Sequence, residues 1–374
     1  MRAARVPKGR FLLLVLGGIA LLAGLDGALV LLGTSMPAEA GRLGADHGRL
    51  MALGFLGTVI ALERAVALGR PMGYAAPVAA GAGAVVIVLG LAPVLAAWLM
   101  VAGGLFLVGT YAALATRERS LHLAVQAAGA GAWPVAALLL AAGRSVADAL
   151  PWLAAFLVLT VAGGRLELAG LGRRTTLARR ELIVASWVLV AGVTLTLALP
   201  DAGTRIAGIG LLALAAWLAE HDLPRRTVRT PGAARFIALS LLAGYAWLAV
   251  AGVAWLLTGA SPGAAAYDAR LHALLIGFVI SMVFGHAPAA VSAVLRVPLP
   301  YSPAFYGHLA LLHAGLLLRV VGGDVLLLPW AGNLGGVMSV AAVLLFVAVS
   351  AAAAVLGLTR RLGIGPARGE LHPA

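Results

Sequence analysis

The sequence predicts an all-α integral membrane protein: one polytopic domain over residues 1–374, a bundle of about twelve transmembrane helices with both termini cytoplasmic. Three observations predict it. Of the 374 residues, 62% are hydrophobic and 11% charged, where a soluble domain carries about 25% charged residues. Mean hydropathy is +1.02, and apolar runs of roughly 18 residues or more recur from end to end, leaving no room for a soluble domain. The basic residues, finally, cluster in alternate short loops, as cytoplasmic loops do.

The first span, near 11–33, follows "MRAARVPKGR" and precedes "PAEA". It mimics a signal peptide, but the apolar run is too long and contains Asp26, so it reads as a retained helix. The second, 47–68, opens at His47 and closes on Glu63 and Arg64. Spans 74–91 and 93–115 are separated by very little. The fifth, 121–142, begins beside His122 with Gln126 one turn on, and the sixth covers 146–170. The loops "GRRTTLARRE" and "HDLPRRTVRTPGAARF" set off a middle pair, 183–199 and 203–221, from six spans before and four after. Those four are 235–258, 267–290, 302–320 and 326–357, the last long enough to tilt or to break at "GNLGG". No internal repeat relates the halves, which weakens an inverted-repeat transporter.

Loop charge fixes the orientation. With the N-terminus inside, the cytoplasmic side holds Arg2, Arg5, Lys8, Arg10, Arg64, Arg70, Arg117 and Arg119. It continues with Arg165, Arg173, Arg174, Arg179, Arg180, Arg225, Arg226, Arg229, Arg235, Arg296, Arg360, Arg361 and Arg368. Only Arg42, Arg49, Arg144, Arg205, Arg270 and Arg319 remain outside, and an eleven- or thirteen-span chain would break the alternation. The net charge of +13 is therefore explained by topology and anionic lipid, and nucleic acid is excluded as a partner. Cysteine is absent, which removes disulfides, iron–sulfur clusters and thiolate ligands. Any metal must rest on His, Met, Tyr or carboxylate.

Ionisable groups inside spans are costly and mark candidate sites. Of eight histidines, His372 lies in the tail and His221 at a cytoplasmic helix end. His47, His122, His272, His286, His308 and His313 are in or at spans. Helical rise places His272 near the outer start of the tenth span and His286 about 21 Å deeper, on nearly the same face. His308 is expected level with His286, and His313 about 7–8 Å above it. The expectation is an outer group (His47, His272, reached by His313) and an inner group (His286, His308, with His122). Neutral imidazole suits heme iron and copper. Gly54 and Thr58 share the face of His47, where small side chains admit a flat macrocycle. Arg319 is a candidate partner for a heme propionate or a headgroup-seeking cation.

Each residue also has an ordinary reading. A histidine in a bundle more often hydrogen-bonds in the core than ligates, and His47 and His122 stand at helix ends where water reaches. Glu63 and Arg64 read as a structural pair. Tyr301 and Tyr306 fit an interfacial aromatic belt, and Met282 fits packing. Gly285 and Pro288 loosen the helix around His286.

"DHGRLMALGFLGTVIALE" and "RLHALLIGFVISMVFGHAP" together resemble the NnrS family of heme- and copper-containing bacterial membrane proteins, linked to nitric oxide metabolism. More distantly, twelve spans with intramembrane histidines are similar to the heme–copper oxidase and nitric oxide reductase catalytic subunit. The specific likeness covers some forty residues. It carries over the second-span histidine to His47 and the "HAL" histidine to His272, and more loosely His286, His308 and His313. The NnrS cluster "HAHEM" is a single histidine here, and the oxidases' adjacent histidine pair and His-Pro-Glu element are missing, which argues against a dioxygen or nitric oxide reduction centre.

The resemblance implies a multi-pass protein of the bacterial cytoplasmic (inner) membrane holding one or two hemes b, with copper on spare histidines. It would bind or process nitric oxide, or pass electrons. His47 with His272 is the preferred low-spin pair. Implied partners are the lipid bilayer, a quinone or electron-donor protein, and a second copy or a respiratory complex. The alternatives are a secondary transporter with a histidine-lined path and a cofactor-carrying subunit. Transport by proton coupling is opposed by the shortage of acids: Asp26, Glu63 and Glu167 are the ones clearly within spans.

Overall fold

The computed structural model describes residues 6–33, 40–168, 176–261 and 263–362. Arg2, Arg5, Arg173, Arg174, Arg368, His372 and most of "PAEA" lie outside the described residues, as do the side chains of Arg360 and Arg361. Among the described residues there is helix and no strand. Eleven helices are long and apolar enough to cross a membrane: α1 Lys8–Leu31, α2 Gly41–Leu68, α3 Pro71–Leu89, α4 Pro93–Ala115, α5 Leu121–Ala141, α6 Val146–Glu167, α8 Pro200–His221, α9 Ala233–Thr258, α10 Ala264–Leu295, α11 Phe305–Val325 and α12 Pro329–Thr359. A twelfth long helix, α7 (Thr176–Leu195), is of similar length but carries Arg179, Arg180 and Glu181 in its first turns, and a single turn, Pro224–Thr227, links α8 to α9.

The expected order of spans is reproduced, with shifted edges. The α7 helix starts seven residues before the expected 183, because its charged first turns continue the helix rather than the loop. Pro288 stands inside α10, which runs on to Leu295. The α12 helix passes through Gly332–Gly336 without a break.

Successive helices pack as antiparallel neighbours, and α12 returns to α1 to close the bundle. The α2 and α10 helices run through its interior: α2 packs on α1, α3 and α4, α10 on α9 and α11, and the two touch each other. Glycine makes the closest approaches. A Cβ on Gly57 would lie 2.5 Å from the Trp133 ring, and one on Gly277 would lie 2.5 Å from Trp247. Lys8, Arg10, Arg64, Arg165, Arg225 and Arg296 stand at what is here called the Arg-rich end; His47, Arg144, Arg270 and Arg319 belong to the opposite end.

Candidate functional site

His47 lies in the opening turns of α2 and His272 in those of α10, and both rings line one cavity of about 350 Å³ at the Arg-poor end. Its walls are mostly apolar, including Leu25, Met51, Leu56, Leu275, Ile276 and Val340. The Nδ1 of His47 is 2.6 Å from the carbonyl oxygen of Gly24 on α1. A carbonyl only accepts, so Nδ1 carries the proton. The Nδ1 of His272 is 3.1 Å from the carbonyl oxygen of Asp268 and 3.0 Å from its carboxylate, and the same reasoning protonates it. Neither Nε2 has a hydrogen bond among the described residues. In neutral rings both Nε2 lone pairs are therefore free for a ligand in the cavity.

Asp268 is itself fixed. Arg319 on α11 donates two 2.7 Å hydrogen bonds to it, from Nε and Nη2. Arg319 is thus first of all the partner of Asp268, where sequence reasoning offered a propionate or lipid headgroups. Its Nη1 makes no hydrogen bond among the described residues and Arg319 still lines the cavity. A carboxylate behind the imidazole of a metal-ligating histidine orients the ring and raises its basicity.

Two local features put the rings there. On α1, Gly24 and Gly27 let α2 approach: a Cβ on Gly24 would meet Met51 at 2.7 Å, and one on Gly27 would collide with the backbone of Leu43. Only such proximity brings the His47 ring to the Gly24 carbonyl. The second feature is π-helical winding. Leu50–Gly57 follows His47, Ala273–Ile280 follows His272, and Leu318–Val325 contains Arg319 and Asp324. A π-turn inserts a residue into an α-helix, rotates what precedes it, and recurs at functional sites. Here three such segments surround one cavity.

The other predicted histidines are not gathered with this pair. The Nδ1 of His313 accepts 3.1 Å from Trp247 Nε1, and its Nε2 is buried without a partner; it does not line the cavity. His286 is engaged at both nitrogens. Its Nδ1 is 2.8 Å from the carbonyl of Met282 and its Nε2 accepts 3.1 Å from Arg165. His308 is buried among Phe236, Phe284, Phe305 and Phe346, with ring centroids 4.4–5.9 Å away and neither nitrogen bonded. His122 Nε2 lies 3.2 Å from Ser120 Oγ. The expected inner group is therefore three separate environments. No group of three or more His, Asp or Glu able to hold a metal ion occurs among the described residues, so the spare-histidine set expected for copper is not assembled.

The Arg-rich end is instead cross-linked by polar networks. Arg165 on α6 donates to both carboxylate oxygens of Asp222 (2.6 and 2.9 Å) and to His286, and Tyr245 on α9 also donates to Asp222. Because an arginine only donates, His286 is held as the neutral Nδ1–H tautomer. Arg64 on α2 reaches Glu63 (2.9 Å), Gln126 on α5 (3.2 Å) and Glu167 on α6 (3.0 Å). The Glu63–Arg64 pair thus belongs to a larger structural knot.

Sequence reasoning missed Asp268, Asp324 and Asp222. The (i, i+4) spacing of Asp268 and His272 in "YDARLH" was the available signal for the first. Asp222 follows α8 and looks solvated, but it is buried. Asp324 sits in the last turn of α11, close to Asp268, with Oδ2 buried.

Residues 10–355 match the family model described as a domain of unknown function, DUF8744. No curated protein and no solved structure matches the chain.

Proposed function

The chain belongs to the DUF8744 family, and we propose that it is a membrane electron-transfer protein holding one heme b between His47 and His272. One observation carries the reading: two imidazoles from different helices, each with Nδ1 given to a protein acceptor and Nε2 free, share an apolar cavity. That donor set and that wall fit heme b. When bound, the heme would supply one-electron transfer, with His47 and His272 as the residues that would hold it.

The chain's own residues then have distinct tasks. Gly24 and Asp268 fix the tautomer of the two rings. Arg319 Nη1 would be available to neutralise a propionate, while its other nitrogens hold Asp268. Leu25, Leu56, Leu275 and Ile276 line the cavity and would exclude water from the bound group. The resemblance to the NnrS family supports heme, but its nitric oxide chemistry is not carried over to a pair of ligands on one metal. The positive-inside pattern supports a place in the bacterial cytoplasmic membrane with the heme on the outer side.

Heme content of the purified protein tests this. Protein from heme-supplied cells, assayed as the pyridine hemochrome, is expected to carry about one heme per chain. His47→Ala and His272→Ala are expected to lose most of it and His313→Ala to keep it. A colourless wild type, or colour untouched by both variants, would overturn the reading.

A further inference from the structure

A second cavity of about 510 Å³ opens at the same end, between the α5–α6, α7–α8 and α9–α10 connections. Arg144, Asp148, Leu197, Trp255, Tyr267 and Arg270 are among its lining residues. It is separate from the two-histidine cavity but shares one wall residue, Tyr267. The opening turns of α10 serve both: Asp268 and His272 face one cavity, Arg270 the other, and Tyr267 stands between.

Arg270 is the unusual member. It is 6% exposed, and no carboxylate pairs with it among the described residues. Its Nε and Nη2 donate to the main-chain carbonyls of Ala266 (3.2 Å) and Ser261 (2.9 Å), which leaves Nη1 without a hydrogen bond among the described residues. The nearby acids are engaged elsewhere. Asp148 accepts from the amide and hydroxyl of Ser145, and Asp201 accepts from Arg205 and the Ala260 amide. Asp201 is near enough to attract Arg270 but is bonded to Arg205 instead, and a buried guanidinium with no carboxylate in direct contact is costly and calls for one. Arg144 adds a second guanidinium to the same wall.

We infer that this cavity binds an anion with an apolar body, its carboxylate or phosphate on Arg270 and Arg144 and its hydrocarbon against Trp255 and Leu197. The volume is within the range of small-molecule sites, and the mixture of apolar wall and two cations fits an amphiphilic acid better than an inorganic ion. Two sources share this chemistry, an acidic lipid headgroup of the outer leaflet and a free organic acid. The inference is independent of the heme.

Calorimetric titration of the protein in phosphatidylcholine nanodiscs, with empty discs as blanks, tests it using octanoate and, as the neutral match, 1-octanol. Octanoate is expected to bind more tightly than octanol. Arg270→Gln is expected to weaken octanoate about tenfold or more, the scale of one charge-assisted contact, and to leave octanol unchanged. Arg144→Ala, at an exposed position, is expected to weaken octanoate in the same direction and serves alone if Arg270→Gln does not fold. Repeating the titration with phosphatidylglycerol in the disc separates the sources: lost octanoate binding identifies the lipid headgroup, and retained binding a free acid. Absent octanoate binding in phosphatidylcholine discs, octanol binding equally well, or octanoate binding indifferent to both substitutions would overturn the inference.

Discussion

Asp268 ties the two-histidine cavity together, since one carboxylate accepts from His272 and from two nitrogens of Arg319. Asp268→Asn keeps the volume but removes the charge behind the ring, and is expected to weaken heme binding about 10–100-fold, read as heme loss on dilution. Arg165 makes the contrasting case. Its ion pair with Asp222 is buried and distant from the cavity, so Arg165→Met leaves a carboxylate unpaired and is expected to cost about 3–5 kcal/mol of stability. Thermal unfolding should drop while the heme spectrum of the folded fraction stays the same. The histidines were legible in the sequence because a polar ring inside an apolar run stands out. Asp268 and Asp222 were not, because a carboxylate at a helix end looks the same whether water or an arginine receives it.

At the scale of elements, the cavity depends on how α1, α2 and α10 are wound and how closely they meet. Gly27→Ile would drive a branched side chain into the backbone of Leu43, push α2 from α1 and take His47 from the Gly24 carbonyl. Overpacking costs about 1–3 kcal/mol, and heme content should fall more than expression. Deleting one residue, Ala52, from the π-helical stretch Leu50–Gly57 would return it to α-winding and turn His47 by about 100° about the helix axis. That variant is expected to insert and fold without heme; retained heme would show that the π-turn does not aim the ring. Span positions were readable from hydropathy and loop charge to within a few residues, apart from α7. The π-segments were not, since no residue in "LMALGFLG" or "ALLIGFVI" distinguishes them from ordinary apolar helix; tertiary packing selects the winding. Helical pitch likewise put His286 and His308 at one depth but could not say that one would face Arg165 and the other four phenylalanines.

For the whole molecule, ion-pair networks occur at both ends of the bundle, and the two cavities described above both lie at the Arg-poor end. Because the chain has no cysteine, single-cysteine variants report sidedness directly. Ser145→Cys is expected to react with an impermeant maleimide from outside intact cells, and Thr230→Cys only after permeabilisation; the reverse pattern would invert the bundle. The central claim, one heme ligated by His47 and His272 together, is tested most directly by carbon monoxide added to the dithionite-reduced protein in nanodiscs. The predicted result is a wild-type spectrum unchanged by the gas, with any heme retained by His47→Ala or His272→Ala shifting on its addition because one of its two protein ligands would be missing. A wild-type spectrum that shifts with carbon monoxide would contradict it.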